Sequence, residues 1–354
     1  GVWIMAYTTI DNPELYFQVK TYSGAGGSQA QTLNGSEDMA PNMVWIKCRD
    51  QAENHGIYDT VRGAEKLLVP HFQAAETTLS TGLTAFGSDG FTVAGSGTTG
   101  YSGQIYVAWC WKAGTTSGIT TNGSTTITPS AYSFNQTSGI SIVKYTGNGT
   151  SGAKIAHGLG ATPDIVIVKR LGANGQWDIV SKHIGASYYL RLSTSGAKAT
   201  GVWAFNDTLP DSVNFTVGDN AETNSSDGNV AYCFSNKQGY LKCGQYYGNG
   251  STNGTFVYTG FRPAMMLMKN LAGSEDWHLY DNKRANPFNI ADKTLDPNNT
   301  NAEYTIASGV DFLSNGFKWR ATASALNGSG ANYIYIAFAE QPFVNSESVP
   351  CNAR

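Results

Sequence analysis

The strongest constraint on the fold is an internal repeat, in which four landmarks recur three times in the same order. The first landmark is an aromatic residue followed by spaced glycines, at 22–26, 145–149 and 246–250. The second is a proline that opens an apolar run and is followed six residues later by a lysine, namely Lys47, Lys169 and Lys269. The chain therefore consists of three related units, and its fold is formed three times.

Two further landmarks fix the boundaries of the units. A Gly-Phe or Asn-Phe pair ends at Phe91, Phe215 and Phe317, and a closing apolar run surrounds Ala108, Ala231 and Ala337. We place the first unit at 16–114, the second at 139–239 and the third at 240–343. Residues 1–15 and 344–354 are expected to be an arm and a tail. Residues 115–138 are rich in Ser, Thr and Gly and are expected to be an extended or flexible linker. Met5 is a plausible start, which would make Gly1 to Ile4 extraneous.

Each unit has the pattern of short antiparallel strands. Its apolar runs contain many β-branched and aromatic residues and are bounded by Gly, Asn, Pro and Ser, while charged residues make up only 14% of the chain. Repeated Asn-Gly pairs favour two-residue hairpins. The sequence predicts an all-β protein of three tandem β-sandwich domains, jelly-roll-like or lectin-like, with about 100 residues each.

Charge, hydropathy and cysteine content argue against several classes of partner. A net charge of −3 gives no electrostatic reason to bind nucleic acid. No apolar stretch approaches the roughly 20 residues that cross a bilayer, so membrane insertion and a signal peptide are not expected. Five widely spaced cysteines without a C-x-x-C pair predict free thiols and folding in a reducing cytoplasm, with no metal site and no cofactor.

A motif shared by the first and third units supplies the candidate ligand-binding residues. Tyr-Asp-x-x-Arg occurs in both, whereas the second unit has a serine, Ser181, in place of the aspartate. The Asp and Arg are interpreted either as an ion pair that fixes a turn or as a ligand contact. Tryptophans are interpreted as core residues, or as platforms for sugars if exposed. The candidate ligand-binding residues are Tyr58, Asp59, Arg62, Trp277, Tyr280, Asp281 and Arg284.

Signals for catalysis are weak. The G-x-G-x-x-G string at 95–100 precedes an apolar strand instead of a helix, which favours a hairpin loop. No G-x-S-x-G or H-E-x-x-H occurs. A glycosidase needs only two acids from distant loops, and nothing selects a pair among Asp59, Glu65, Asp207, Asp211, Asp281 and Asp292. The chain is expected not to be an enzyme.

These motifs together resemble an uncharacterised repeated domain encoded mainly by tailed bacteriophages, especially marine ones. The resemblance covers residues 16–343 and rests on 145–149, 157–169, 58–63, 107–111 and 311–317. It implies a virion structural protein, often tail-fibre-like. For that family no catalytic residues carry over to this chain.

The expected function is therefore a homo-oligomeric surface appendage of a virus particle, such as a tail fibre or spike that attaches to host glycans and contacts other virion proteins. Each added domain is expected to extend its reach or to add a weak contact, and the arm or the tail is expected to attach it to the particle. One alternative is a capsid decoration or head-fibre protein without a ligand. A second alternative is a virion glycan depolymerase.

Overall fold

A computed structural model describes residues 6–284 and 289–351, and in these ranges the chain is almost entirely β-strand. Its three α-helices have only four residues each. The all-β prediction is therefore confirmed. The proposed start at Met5, the extraneous Gly1 to Ile4 and the last three residues of the expected tail lie outside the described residues.

The first unit follows a short 3₁₀ helix (Pro13–Leu15) and contains nine strands. They are β1 (Phe17–Ser23), β2 (Ser28–Thr32), β3 (Met43–Cys48), β4 (Gly56–Asp59), β5 (Gly63–Leu68), β6 (Thr77–Thr78), β7 (Leu83–Gly87), β8 (Gly90–Ala94) and β9 (Ile105–Trp111). One sheet has the order β1-β9-β3-β4-β5-β6, and the other has the order β2-β8-β7.

The second unit and the segment before it contain nine strands and two helices. They are β10 (Ala131–Asn135), β11 (Ile140–Tyr145), β12 (Ala153–Ala156), β13 (Ile165–Arg170), β14 (Trp177–Ser181), β15 (Tyr188–Arg191), β16 (Ala199–Thr200), α1 (Val202–Phe205), β17 (Asn214–Val217), α2 (Ala221–Asn224) and β18 (Asn229–Phe234). The larger sheet has the order β10-β11-β18-β13-β14-β15-β16, and β12 pairs with β17.

The third unit contains two four-stranded sheets and a short helix. Its elements are β19 (Leu241–Tyr247), β20 (Phe256–Tyr258), β21 (Phe261–Asn270), β22 (His278–Asp281), β23 (Ala291–Thr294), β24 (Tyr304–Leu313), β25 (Gly316–Trp319), α3 (Ser324–Asn327) and β26 (Asn332–Pro342). The sheet orders are β19-β26-β21-β22 and β20-β25-β24-β23.

The sequence repeat is also a repeat of topology. One sheet of each unit contains four equivalent antiparallel strands in the same spatial order. This order is the opening strand, the closing strand, the proline–lysine strand and the strand that follows it in sequence. In the first unit these strands are β1, β9, β3 and β4. A second sheet carries the landmark phenylalanine on β8, β17 or β25.

Both faces of the proline–lysine strands are buried. Along β3, Val44 and Ile46 face the second sheet of their own unit, whereas Met43 and Trp45 belong to a core that includes residues of all three units. Strand β13 alternates in the same way. Burial on both faces explains why these runs are apolar throughout, since a strand with one solvated face alternates with polar residues.

The three units therefore sit side by side around one shared core. The tandem repeat predicts a string of domains that each extend the reach. Such a string would leave the sheet faces that carry Trp45 and its counterparts exposed to water. Burying large apolar side chains stabilises by about 1.5–3 kcal/mol each. The apolar outer face of each sheet is the physical reason for the side-by-side arrangement.

The expected linker and arm are parts of this structure. Within 115–138, strand β10 extends the sheet of the second unit, and Ile127 is buried in the core of that unit. In the described part of the expected arm, Ile10 joins the shared core and the Thr8 hydroxyl donates to the Gln238 carbonyl at 2.7 Å. The segment before the first unit thus docks between the second and third units.

Candidate functional site

The Asp and Arg of the first-unit motif form a buried ion pair. Arg62 Nε donates to Asp59 Oδ2 at 2.6 Å, and both side chains have no exposed surface. Asp59 Oδ1 accepts the backbone N–H of Val61 and of Arg62, which fixes the turn. Arg62 also donates to Glu76 Oε2 at 3.1 Å. Burial alone would lower the pKa of Arg62, but the charge of Asp59 outweighs it and raises the pKa.

The third unit repeats this arrangement. Arg284 Nε donates to Asp281 Oδ2 at 2.6 Å, and Arg284 Nη1 donates to Glu303 Oε2 at 3.0 Å. Asp281 Oδ1 accepts the backbone N–H of Arg284 at 3.0 Å. The two sites therefore have the same four-part construction of turn, aspartate, arginine and glutamate.

Each aspartate also accepts a hydrogen bond from the closing strand of another unit. Tyr232 of the second unit donates its hydroxyl to Asp59 Oδ2 at 2.7 Å. Trp109 of the first unit donates its indole N–H to Asp281 Oδ2 at 3.0 Å. Tyr232 and Trp109 each follow the landmark alanine by one residue. These bonds make the two ion pairs part of the junctions between units.

The junction between the second and third units replaces all of these groups. Ser181 stands at the aspartate position, Ile184 at the arginine position and Lys198 at the glutamate position. Ile336, which the strand register places level with Trp109 and Tyr232, replaces the aromatic donor. Ser181 still accepts the backbone N–H of His183, so the turn is retained. Ile184 and Ile336 belong to the shared core. This third junction is apolar.

One backbone hydrogen bond is common to the three junctions. The N–H of Glu76 donates to the Leu171 carbonyl, and the N–H of Glu303 donates to the Arg49 carbonyl. At the apolar junction, the N–H of Lys198 donates to the Leu271 carbonyl. Each acceptor follows its landmark lysine by two residues. The contacts are thus cyclic, from first to second, from second to third and from third to first.

The landmark lysines have a structural role. Lys47, Lys169 and Lys269 are fully buried, and each ammonium donates to two backbone carbonyls at 2.7 to 3.1 Å. Burial lowers the pKa of each to about 8. For Lys169, one of the acceptors is the Gln73 carbonyl of the first unit. These lysines hold the loop that follows each proline–lysine strand.

The seven predicted ligand-binding residues therefore lie inside the molecule. Their exposed fractions range from 0 to 7%. Trp277 packs in the shared core and donates its indole N–H to the Arg191 carbonyl at 2.9 Å. Of the two interpretations of the Asp and Arg, the ion pair that fixes a turn is the one that this geometry supports. The buried residues are Tyr58, Asp59, Arg62, Trp277, Tyr280, Asp281 and Arg284.

The shared core contains a cavity of about 40 Å³ whose lining surface is apolar. Residues of all three units line it, including Trp45, Trp177 and Met265. An apolar cavity of this size stays dry and is too small for a sugar or a cofactor. Among the residues that the structure describes, no cluster of His, Cys, Asp and Glu has the geometry to hold a metal ion.

An aromatic patch lies on the surface of the second unit, and we define it as Tyr189, Arg191 and Trp203. The rings of Tyr189 and Trp203 meet edge to face with centroids 4.8 Å apart. The Arg191 guanidinium lies 5.2 Å from the Tyr189 centroid and 5.4 Å from that of Trp203. All three side chains are partly exposed. Gly201 makes room for the rings, because a Cβ there would lie 2.5 Å from Trp203 Nε1.

Two carboxyl groups hold Arg191 beneath this patch. Arg191 Nε donates to Asp178 Oδ1 at 3.0 Å, and Nη2 donates to Glu222 Oε2 at 2.8 Å. Burial first, and then the charge of Glu222, raises the pKa of Asp178 to about 8. Arg191 and Glu222 are partly exposed, whereas Asp178 is buried. The patch thus combines aromatic rings with a fixed cation and a carboxylate.

Sequence reasoning missed this patch. Trp203 was considered only as one of several tryptophans, and Arg191 was not singled out. The available signal was the departure of the second unit from the Asp and Arg motif. At the position where the first unit has Gly56 and the third has His278, the second unit has Asp178.

A family model described as Domain of unknown function (DUF7483) matches residues 12–342, which include the three units. The chain belongs to this family. No curated protein and no solved structure matches the chain. A single family model for residues 12–342 agrees with a fold in which the three units share one core.

No helix in the described ranges is long and apolar enough to span a membrane.

Proposed function

We propose that this protein is a structural protein of a bacteriophage particle, a surface appendage such as a tail fibre or spike that attaches the particle to host glycans. In this proposal each unit is a β-sandwich domain, and the protein acts without catalysis, as a homo-oligomer in contact with other virion proteins. It is folded in the host cytoplasm and becomes part of the particle surface.

The observation that carries attachment is the aromatic patch of the second unit. Aromatic rings offer an apolar face to the C–H side of a sugar, and a fixed guanidinium and carboxylate offer hydrogen bonds to its hydroxyl groups. Arg191 is held by Asp178 and Glu222, so little side-chain entropy is lost when a ligand binds. The phage origin rests on the resemblance of residues 16–343 described above.

Binding of purified protein to bacterial lipopolysaccharides and capsular polysaccharides on an array tests this proposal. We expect wild-type binding and at least a tenfold loss in affinity for Tyr189→Ala and for Arg191→Lys, which retains charge but loses the planar fork. Tyr101→Ala is the matched control, since Tyr101 is an exposed aromatic of the first unit. No wild-type binding, or an equal loss in the control, would contradict attachment through the patch.

A capsid decoration or head-fibre protein is the alternative, and a different feature favours it. Tyr247, Phe256 and Tyr258 form an exposed apolar surface on the third unit, which fits a protein partner. Electron microscopy of intact particles distinguishes the two, because a decoration protein contacts capsid subunits.

A glycan depolymerase would need two free carboxyl groups in a groove. Asp178 and Glu222 come together, but Arg191 donates a hydrogen bond to each of them. We therefore favour glycan binding over glycan cleavage.

A further inference from the structure

The third unit has an open groove between the edge strands of its two sheets. Strand β19 is the last strand of one sheet, and β20 is the last strand of the other. The groove between them has a volume of about 530 Å³. Tyr247, Phe256 and Tyr258 line it and are exposed by 63%, 44% and 51%. Large aromatic side chains with this exposure indicate an interaction surface.

The equivalent groove of the second unit is filled by the chain itself. Residues 126–135 lie between β11 and β12, the counterparts of β19 and β20. On one side β10 pairs with β11, where Ala131 lies opposite Lys144. On the other side the backbone N–H groups of Thr126 and Ile127 both donate to the Lys154 carbonyl at 3.0 Å. An extended segment therefore joins the edges of both sheets.

The backbone groups that receive this segment have counterparts in the third unit. Lys144 precedes the landmark tyrosine of its unit, as Gln245 precedes Tyr246. Lys154 precedes the residue opposite the landmark phenylalanine, as Phe256 does. In the described part of the chain, neither Gln245 nor Phe256 has a backbone hydrogen bond outside its own sheet.

The chain covers the ends of the groove and leaves its middle open. The Asn236 side chain exchanges two hydrogen bonds with the backbone of Cys243, which closes the start of the β19 edge. At the far side, the Thr255 hydroxyl donates to the Tyr247 carbonyl at 2.7 Å, and the Tyr7 hydroxyl lies 2.9 Å from that of Tyr258. Between these contacts lie the backbone groups of Gln245 and Phe256, while the Gln245 side chain donates to the His183 carbonyl of the second unit. The open stretch therefore accommodates a short extended segment.

The counterpart in the first unit shows how an edge is kept free of partners. The positions of Phe256 and Tyr258 are occupied there by Ala30 and Thr32. These two side chains offer little apolar surface to a partner. The third unit has aromatic residues instead, which offer a larger apolar surface to a partner.

We propose that the groove of the third unit is a docking site for an extended segment of a partner protein. The segment pairs with the backbone of Gln245 on the β19 edge and reaches the backbone of Phe256. Its chemistry follows from residues 126–135, which contain no charged residue and include Tyr132 and Phe134. It is therefore uncharged and alternates aromatic or β-branched side chains, as in recognition by strand addition.

A library of 12-residue uncharged peptides with alternating aromatic and β-branched positions is the probe, selected against the full chain. We expect micromolar binders that slow hydrogen exchange at the amides of Gln245 and Phe256. Gln245→Pro removes the outward N–H, which an edge strand tolerates, and should weaken binding at least tenfold. The paired variant Tyr247→Ser with Phe256→Ala tests the same surface without changing the backbone.

Thr21→Pro is the matched control, because Thr21 precedes the landmark tyrosine of the first unit and its variant should bind the peptides as wild type does. No binder better than scrambled peptides, or protection elsewhere than β19 and β20, would overturn the proposal. Self-association of wild-type protein that the groove variants abolish would overturn it in favour of a second copy as occupant. Loss of glycan binding in Tyr189→Ala is measured separately, so the attachment proposal fails or stands independently of this one.

Discussion

Two junctions between the units are built around a buried ion pair, and the third is built around apolar side chains. At the first two, Asp59 or Asp281 accepts a bond from an arginine and from an aromatic donor of another unit. At the third, the same positions hold Ser181 and Ile336. The shared backbone hydrogen bond and the shared core persist in all three. The shared core and the backbone hydrogen bonds therefore define the assembly. The polar side chains at a junction can be replaced together by apolar ones.

The energetics of buried charge explain why the groups change together. Removing water from an ion pair costs about as much as the pair regains, so an apolar replacement of the whole set is often neutral or stabilising. Removal of one partner leaves a buried charge unpaired, which costs roughly 3–5 kcal/mol. A single substitution that converts only part of one junction type into the other should therefore lower the free energy of unfolding. Exchange of the whole set of side chains should not.

The largest effect is expected for Asp59→Ala. The variant leaves the Arg62 guanidinium buried without its main partner and should lower the free energy of unfolding by about 3–5 kcal/mol. Ser181→Ala is the matched control at the apolar junction, where only a turn hydrogen bond is lost, at a cost of about 1 kcal/mol. Urea unfolding of the two variants measures both values. Equal losses would refute the distinction between the junctions.

A smaller effect is expected for Tyr232→Phe. It removes the hydrogen bond from the second unit to Asp59 but leaves the ion pair intact, and bonds to charged groups contribute about 1.5–3 kcal/mol. The reverse change, Ile336→Tyr, places a larger side chain and a buried hydroxyl at the apolar junction and should also destabilise, by about 1–3 kcal/mol. Thermal unfolding checks both. A stabilised Ile336→Tyr variant would show that the apolar junction has room for a polar contact.

A pH-dependent effect is expected at Asp178. The pKa of Asp178 is raised in the folded protein, so the folded state holds its proton at pH values where the unfolded state has lost it. Its contribution to stability is complete below the unfolded pKa near 4 and is lost as pH rises towards about 8. The stability of wild type relative to Asp178→Asn should therefore fall between pH 4 and 8. A constant difference would contradict a buried, protonated Asp178.

The repeat made the strands predictable, because each landmark corresponds to a strand or turn in every unit. The local Asp and Arg pair was also one of the interpretations drawn from sequence. The partner of Asp59 was not predictable, since Tyr232 lies in another unit and no period connects the two. The continuous apolar run of β3 carried a signal of burial on both faces. The polar composition of residues 126–135 predicts a linker, because composition does not reveal that an extended segment fills a groove.

The most direct test of the account is a complete exchange at one junction. The variant Asp59→Ser, Arg62→Ile, Glu76→Lys, Tyr232→Ile gives the first and second units the side chains of the apolar junction. Its free energy of unfolding is compared with that of wild type and of Asp59→Ala. The account predicts a value within about 1 kcal/mol of wild type, with the loss caused by Asp59→Ala recovered. A loss equal to or greater than that of Asp59→Ala would contradict the claim that three equivalent junctions surround one shared core.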